Sequence, residues 1–297
     1  MALTPSLPTG SPAGLQLLAE RRIWAGAVAR AADGTPRTGV LPAHFGPLVT
    51  GKASMGYNIA EFVAVTSRQS PGVEFVANDG TVDLSPAGYA APTANSRLDV
   101  IWVRSRFTGF GDASDAAEFG ITQGAASPTP VKPSLPAGAF ELAIAEVKAT
   151  DTTTQTVVIT QTARYTAMAG GIVPVRNAVE LAAWTPANGG RAFRTDLSVP
   201  YDRVGDAWVP TTSGAVSTTT DAKGFVTVTH NLGVAGYVPN VQISNGPLNG
   251  LPGPNTLLFT PYLWERSSTG FRVRYRREDT NDWVDNLQAV RFQWSVS

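Results

Sequence analysis

The chain has 297 residues and a mass of 31.2 kDa, which is enough for about two domains. Its 23 basic and 23 acidic side chains give a formal net charge of zero. Proteins that grip nucleic acid through phosphate contacts carry a basic excess, so a nucleic-acid partner is disfavoured. Cysteine is absent, which excludes disulfides, thiolate nucleophiles and Cys-ligated metals, and we expect no cofactor.

The composition also favours strands over helices. The sequence contains 29 Gly and 22 Pro, and only 15% of its residues are charged, a pattern typical of turns and extended segments. The hydrophobic share of 43% supplies enough apolar side chains for a folded core. No apolar run approaches the roughly 20 residues of a bilayer-spanning helix, so we expect no membrane insertion. Residues 1–8 have neither a basic nor a long apolar region, so we also expect no signal peptide.

Residues 1–37 are predicted to be an N-terminal arm with one short helix. Ser11 has the chemistry of an N-cap, and Pro12 suits the first helical position. One face of this helix carries Leu15, Leu18 and Arg22. We expect the helix to dock on a neighbouring part of the protein.

Residues 38–166 alternate apolar and polar side chains with the period of two that strands require. Tyr57–Val65 is predicted as one strand, with Tyr57, Ile59, Val63 and Val65 on a common face. Leu98–Val103 is almost continuously apolar, which suits a central strand. A further strand follows at Phe140–Ala145, with Phe140, Leu142 and Ile144 on one face. Between these two strands, 126–136 carries four prolines and is predicted to be a loop. The segment is therefore predicted to be a β-sandwich-like domain.

Residues 167–212 are predicted to be a linker followed by a helix and a hairpin. Asn177 and Glu180 have the spacing of a capping box, which begins a short helix. Arg191–Asp196 and Val199–Trp208 follow as the strands of a small hairpin module. Because so short a piece buries little surface, we expect it to depend on neighbours or on copies of itself.

Residues 213–297 are predicted to form an antiparallel β-sandwich head. The predicted strands are Gly224–His230, Val238–Ser244, Leu257–Leu263, Phe271–Arg277 and Val290–Val296. In Phe271–Arg277, apolar side chains alternate with Arg272, Arg274 and Arg276. Such alternation indicates a sheet with one buried and one solvated face.

Catalytic motifs are weak in this sequence, and we predict that the chain is not an enzyme. Gly46–Ala53 resembles a phosphate-binding loop, but Ala53 replaces the hydroxyl residue that holds Mg²⁺, and a strand pattern follows it. The two histidines, His44 and His230, lie at predicted loops or turns, and no nucleophile elbow accompanies them.

Acidic side chains cluster near the C-terminus. They are Glu278, Asp279, Asp282 and Asp285, which follow the predicted strand Phe271–Arg277, and Glu265 is a further acid that precedes this strand. Two functions suit such a cluster, a calcium site and a glycosidase carboxylate pair, but the spacing does not match the known calcium loop. The interpretation we favour is a charged loop that balances the neighbouring arginines.

Aromatic residues enrich the same region. We predict a receptor-binding or glycan-binding site formed by Tyr262, Trp264, Arg272, Arg274, Arg276 and Trp283. Exposed aromatic rings stack on ligands, and arginine adds planar hydrogen bonds. The alternative is that these rings belong to the core or to contacts between subunits, whereas Trp294 fits the core pattern.

Several segments carry a resemblance to a known family. They are Gly39–Leu41 with Tyr57–Val65, Ser96–Arg104 (SRLDVIWVR), Ser127–Pro130 and Leu135–Val147 (LPAGAFELAIAEV). In this order they resemble minor tail or baseplate proteins of tailed bacteriophages, especially phages of actinobacteria. The hairpin from Phe193 to Trp208 is similar to small fibre-shaft modules of such proteins. No motif in the resemblance is catalytic.

The resemblance implies a virion structural protein of the tail tip or baseplate, assembled as a homotrimer. Its N-terminal region would attach to other tail proteins, and its C-terminal head would face a glycan or protein on the host surface. Two alternatives stay open. One is a purely architectural role with receptor binding elsewhere, and the other is a glycan-degrading enzyme that uses Glu265, Asp279 or Asp282.

Overall fold

The computed structural model describes residues 4–5, 17–42, 46–218, 221–230, 239–243, 259–277, 281–283 and 290–296. These residues form a mainly β fold of antiparallel sheets, which confirms the predicted fold class. Two compact units are present: Met1–Pro174 with Trp184–Ala187, and Val175–Ala183 with Asn188–Ser297. The division into four segments stays a prediction. In the described ranges, no helix has the length and apolar character needed to cross a membrane.

The first unit contains three antiparallel sheets. Its elements are β1 (Thr4–Pro5), α1 (Leu17–Ala27), β2 (Gly39–Leu41), β3 (Val49–Gly51), β4 (Tyr57–Ile59), β5 (Phe62–Thr66), β6 (Glu74–Asn78), β7 (Val82–Leu84), β8 (Ser96–Ser105), β9 (Ala117–Gln123), β10 (Phe140–Lys148) and β11 (Val158–Gln161). The strand orders are β1-β6-β5-β2, β3-β4-β7 and β11-β10-β8-β9. All three sheets contribute to one core, which includes Tyr57, Phe62, Ile101 and Leu142. The proline-rich segment 126–136 is a loop, as predicted.

Helix α1 packs on the first of these sheets through a face that differs from the predicted one. Arg22 is exposed, whereas Arg21, Ala25 and Val28 are buried at helical spacing. The Arg21 guanidinium lies 3.0 Å from the carboxylate of Glu74, and both side chains are almost fully buried. The predicted helix start at Ser11 and Pro12 lies outside the described residues, as do Leu15 and the side chain of Leu18. The buried face of α1 carries a charged residue, Arg21, so the apolar pattern of the sequence does not reveal which face is buried.

Two predicted strands are interrupted. Tyr57–Val65 breaks after Ile59, so that β4 and β5 enter different sheets and Val63 is exposed rather than buried. In β10, a register shift between Glu141 and Ala143 reverses the alternation, and Ile144 is only half-buried. A bulge has this effect because one extra residue moves every later side chain to the other face.

A buried hydrogen-bond network surrounds the Arg97–Leu98–Asp99 sequence of β8. The Asp99 carboxylate accepts hydrogen bonds from the Tyr89 hydroxyl at 2.7 Å and from Arg97 Nε at 2.9 Å. Tyr89 also contacts the Tyr57 hydroxyl at 2.8 Å. Burial raises the pKa of Tyr57 to about 12, so this phenol stays protonated to a higher pH than an exposed tyrosine does. The network joins β8 to β4 and to the segment before β8, so these residues have a structural role.

The second unit begins in β12 and ends in a sandwich. Its elements are β12 (Val173–Val175), α2 (Ala178–Ala183), β13 (Arg191–Arg194), β14 (Val199–Val204), β15 (Ala207–Pro210), β16 (Thr212–Thr218), β17 (Phe225–Thr229), β18 (Pro239–Ile243), β19 (Phe259–Arg266), β20 (Gly270–Arg277) and β21 (Val290–Val296). The sheets have the orders β12-β13-β14-β15, β16-β21-β18 and β17-β20-β19. The Phe271 ring of β20 lies 5.7 Å from the Trp294 ring of β21, so Trp294 contacts the other sheet, although it is only partly buried where the sequence predicted a core residue.

The predicted capping box is confirmed with one difference. The Asn177 side chain accepts a hydrogen bond from the Glu180 backbone N–H at 3.0 Å. The Glu180 carboxylate in turn accepts one from the backbone N–H of Arg176, one residue before the cap. The predicted hairpin is part of a longer meander, because β14 pairs with both β13 and β15.

The buried network predicts a large stability effect. Asp99→Ala leaves the Arg97 guanidinium buried without its carboxylate, so we expect the free energy of unfolding to fall by about 3–5 kcal/mol. The control is Asp83→Ala, because the side chain of Asp83 is 59% exposed and its pair with Lys52 is screened by solvent. Urea unfolding followed by circular dichroism measures both changes. Equal effects of the two variants would contradict the structural role of the network.

Candidate functional site

The structure brings the six predicted site residues together on the β17-β20-β19 sheet. They are Tyr262, Trp264, Arg272, Arg274, Arg276 and Trp283. Phe225 of β17 lies against Trp264 and the first two arginines. We call these seven side chains the aromatic–arginine face.

Strand β20 separates this face from the sandwich core. Phe271, Val273 and Tyr275 are at most 2% exposed, whereas the arginines between them are partly exposed. Successive side chains of a strand point to opposite sides of the sheet, so the apolar residues bury and the arginines do not. The alternation predicted from the sequence is confirmed.

A bulge in β19 shapes the neighbouring column of the face. Tyr262 pairs with Arg274 and Glu265 pairs with Arg272, which leaves Trp264 as an extra residue between the two pairs. Regular alternation would place Tyr262 and Trp264 on one face and Glu265 on the other. The bulge therefore brings a carboxylate onto the face that already holds the two aromatic rings.

The three outer rings form a packed but open cluster. The Trp283 centroid lies 5.5 Å from the Tyr262 centroid and 5.8 Å from the Trp264 centroid, with ring planes 74° and 87° apart. Such edge-to-face contacts hold the rings in fixed orientations. Tyr262, Trp264 and Trp283 are nonetheless 41%, 50% and 38% exposed, so each retains surface for a ligand.

The guanidinium groups lie against the rings. Arg272 is 4.2 Å from the Phe225 centroid, Arg274 is 4.9 Å from the Trp283 centroid, and Arg276 is 5.6 Å from the same ring. These distances are within the range of cation–π attraction. The rings and cations therefore alternate across the sheet surface.

The charges on the face are unevenly compensated. Arg272 contacts two carboxylates, Asp221 at 3.2 Å and Glu265 at 3.5 Å. The backbone N–H of Phe225, with help from Arg272, lowers the pKa of the Asp221 carboxyl. At the other end, Arg276 Nε donates to the backbone carbonyl of Asn281 at 2.8 Å. A carbonyl is neutral, so this bond orients Arg276 without cancelling its charge.

The remaining predicted candidates lie elsewhere or outside the described residues. Glu278, Asp279, Asp285 and His44 are outside them, and Asp282 is exposed beside Trp283. Among the residues that the structure describes, no group of three His, Asp or Glu side chains could hold a metal ion.

His230 packs against aromatic rings, and the segment Gly46–Ala53, which resembles a phosphate-binding loop, contains strand β3. The His230 ring lies 6.1 Å from the Phe271 ring and 6.3 Å from the Trp294 ring, and burial lowers the pKa of its imidazole. Gly51 ends β3, and strand β4 follows it where a phosphate-binding loop requires a helix.

Sequence reasoning missed two members of the site region, Phe225 and Asp221. The period of two groups Phe225 with Thr227 on the face opposite Val226 and Val228, but no local pattern shows that this face adjoins the arginines of β20. Its place on the outer face follows from its pairing opposite Arg274. Asp221 comes near because its side chain accepts hydrogen bonds from the Lys223 and Phe225 backbone at 2.9 Å.

Comparisons of this chain with protein-family models, with curated proteins and with solved structures found no match.

Because Trp264 and Trp283 are exposed, we expect dissolved iodide to quench their fluorescence. Iodide is an anion that quenches solvent-exposed indole rings and is attracted by arginine. We expect Trp264→Phe/Trp283→Phe to remove most of the iodide-quenchable tryptophan fluorescence of the full chain. Trp184→Phe is the control, because that residue is only 5% exposed and its loss leaves the amount of iodide-quenchable fluorescence unchanged. An unchanged quenchable fraction in the double variant would contradict the open cluster.

Proposed function

We propose that the chain is a structural protein of a phage tail tip or baseplate whose C-terminal sandwich binds a receptor on the host surface. The observation that carries the binding role is the aromatic–arginine face, where three exposed rings alternate with three arginines. The virion location, the N-terminal attachment to other tail proteins and the trimeric assembly rest on the resemblance, which covers most of residues 35–175.

The geometry of the face supports a binding role in two ways. Aromatic and arginine side chains supply a large share of binding energy at interfaces. The rings of Tyr262, Trp264 and Trp283 are held by edge-to-face contacts. These side chains therefore lose little conformational entropy when a ligand stacks on them. Rigid rings with open surface suit the flat apolar faces of sugars as well as protein side chains.

The depolymerase alternative has less support. A glycosidase needs one protonated carboxylic acid and one carboxylate flanking the scissile bond. Glu265 is already engaged by the Arg272 guanidinium at 3.5 Å, and Asp282 is exposed. Asp279 lies outside the described residues.

The architectural alternative has one specific observation in its favour. Leu263 is 45% exposed beside the exposed rings of β19, and apolar surface of this kind is covered when subunits associate. In that case the aromatic–arginine face would contact another subunit rather than a receptor.

Cell labelling tests the binding role. We expect the fluorescently labelled full chain to bind actinobacterial cells, and Trp264→Ala/Trp283→Ala to reduce the bound fluorescence at least about tenfold, because both stacking surfaces are lost. The matched control is Val131→Ala/Val179→Ala, which removes two side chains that are 75% and 79% exposed far from this face in sequence. Absence of labelling by the folded, oligomeric wild-type chain would favour the architectural role, and equal labelling by the double variant would exclude this face as the site.

Sedimentation equilibrium tests the assembly. We expect a particle of three times the 31.2 kDa chain mass at micromolar concentration. A stable monomer under these conditions would contradict the trimeric proposal.

A further inference from the structure

We infer that the ligand of the aromatic–arginine face is an anionic saccharide, bearing carboxylate or phosphate, and that its charged group binds the Arg276 guanidinium beside the Trp283 ring. This inference rests on the proposed function and specifies its ligand.

Charge is distributed unequally along the face. At one end, the two carboxylates of Asp221 and Glu265 lie within 3.5 Å of Arg272. Those carboxylates repel a ligand anion and already occupy donors of Arg272. Arg272 therefore acts as a positioning residue, whose guanidinium lies 4.2 Å from the centroid of the Phe225 ring.

At the opposite end of the face, two contacts fix the orientation of Arg276. Its Nε donates to the Asn281 carbonyl at 2.8 Å, and its guanidinium lies 5.6 Å from the Trp283 ring. Both contacts fix the guanidinium plane, and neither supplies a negative charge. A fixed, planar guanidinium is suited to bidentate hydrogen bonds with a carboxylate or phosphate.

Two exposed indole rings lie next to this cation. Trp264 and Trp283 are nearly perpendicular at 87°, and both are exposed. Two such rings offer stacking surfaces for neighbouring sugar units, while Arg276 receives the acidic substituent. Stacking surface and guanidinium within one cluster match a polymer in which sugar rings and anionic groups alternate.

The test uses the full chain and isolated actinobacterial cell walls. Binding is measured to native walls, to walls whose carboxylates are reduced to alcohols, and to walls whose phosphodiesters are cleaved with cold hydrofluoric acid. The phosphate-free glycan released by the acid serves as a soluble competitor, and protease-treated walls form a fourth arm. We expect native walls and protease-treated walls to bind equally well.

Each treatment separates one ligand class from another. Loss of binding after carboxyl reduction assigns a carboxylate-bearing saccharide. Loss after acid treatment, without competition by the released glycan, assigns a phosphate-bearing one. Binding that survives both treatments, or competition by the phosphate-free glycan after its carboxylates have also been reduced, would overturn the anionic class and leave the proposed function standing. Loss after protease treatment would replace the saccharide with a protein receptor. A folded chain that binds neither native walls nor intact cells would overturn the proposed function itself.

Three arginine variants test the assigned end of the face. We expect Arg276→Gln to weaken wall binding at least about tenfold, as for a lost hydrogen bond to a charged group. Arg272→Gln should have a smaller effect, since Arg272 is already paired with two carboxylates. Arg191→Gln is the unaffected control, because Arg191 lies on β13 and pairs with Asp202. Circular dichroism verifies the fold of each variant. Equal losses for Arg276→Gln and Arg272→Gln would overturn the assignment of the charged group to Arg276.

Discussion

Strand β20 divides its side chains between two environments, and the candidate site depends on that division. Phe271, Val273 and Tyr275 are buried in the sandwich, so the intervening arginines must face away from the core. Burial of these apolar side chains sets the register of the strand, since a slip of one residue would place guanidinium groups in the core. The chemistry of the outer face is thus a consequence of packing on the inner one.

Buried charge has a comparable role in the first unit. Asp99 and Arg97 lie at the centre of a network that includes two tyrosines, and Arg21 pairs with Glu74 beneath helix α1. Such pairs add little net stability, but removing one partner is costly. In a unit built from three small sheets, they specify which segments meet. This accounts for an Arg-Leu-Asp sequence inside an otherwise apolar strand.

The two units therefore use arginine in different ways. In the first, guanidinium groups are buried against carboxylates and hold the fold together. In the second, Arg274 and Arg276 lie against exposed rings at the surface of a sheet. A structural scaffold followed by a surface rich in rings and cations is the organisation that the proposed receptor-binding role requires.

Local pattern in the sequence determined the β class, the strands of the C-terminal sandwich other than β16, the cap at Asn177 and the six candidate residues of the aromatic–arginine face. These follow from side-chain period and chemistry, which neighbouring residues encode. The tertiary structure alone decided the breaks at Ile59 and in β10, the burial of Arg21 and the position of Phe225 opposite Arg274. Bulges and strand pairing depend on contacts between residues far apart in the chain, so no local pattern specifies them.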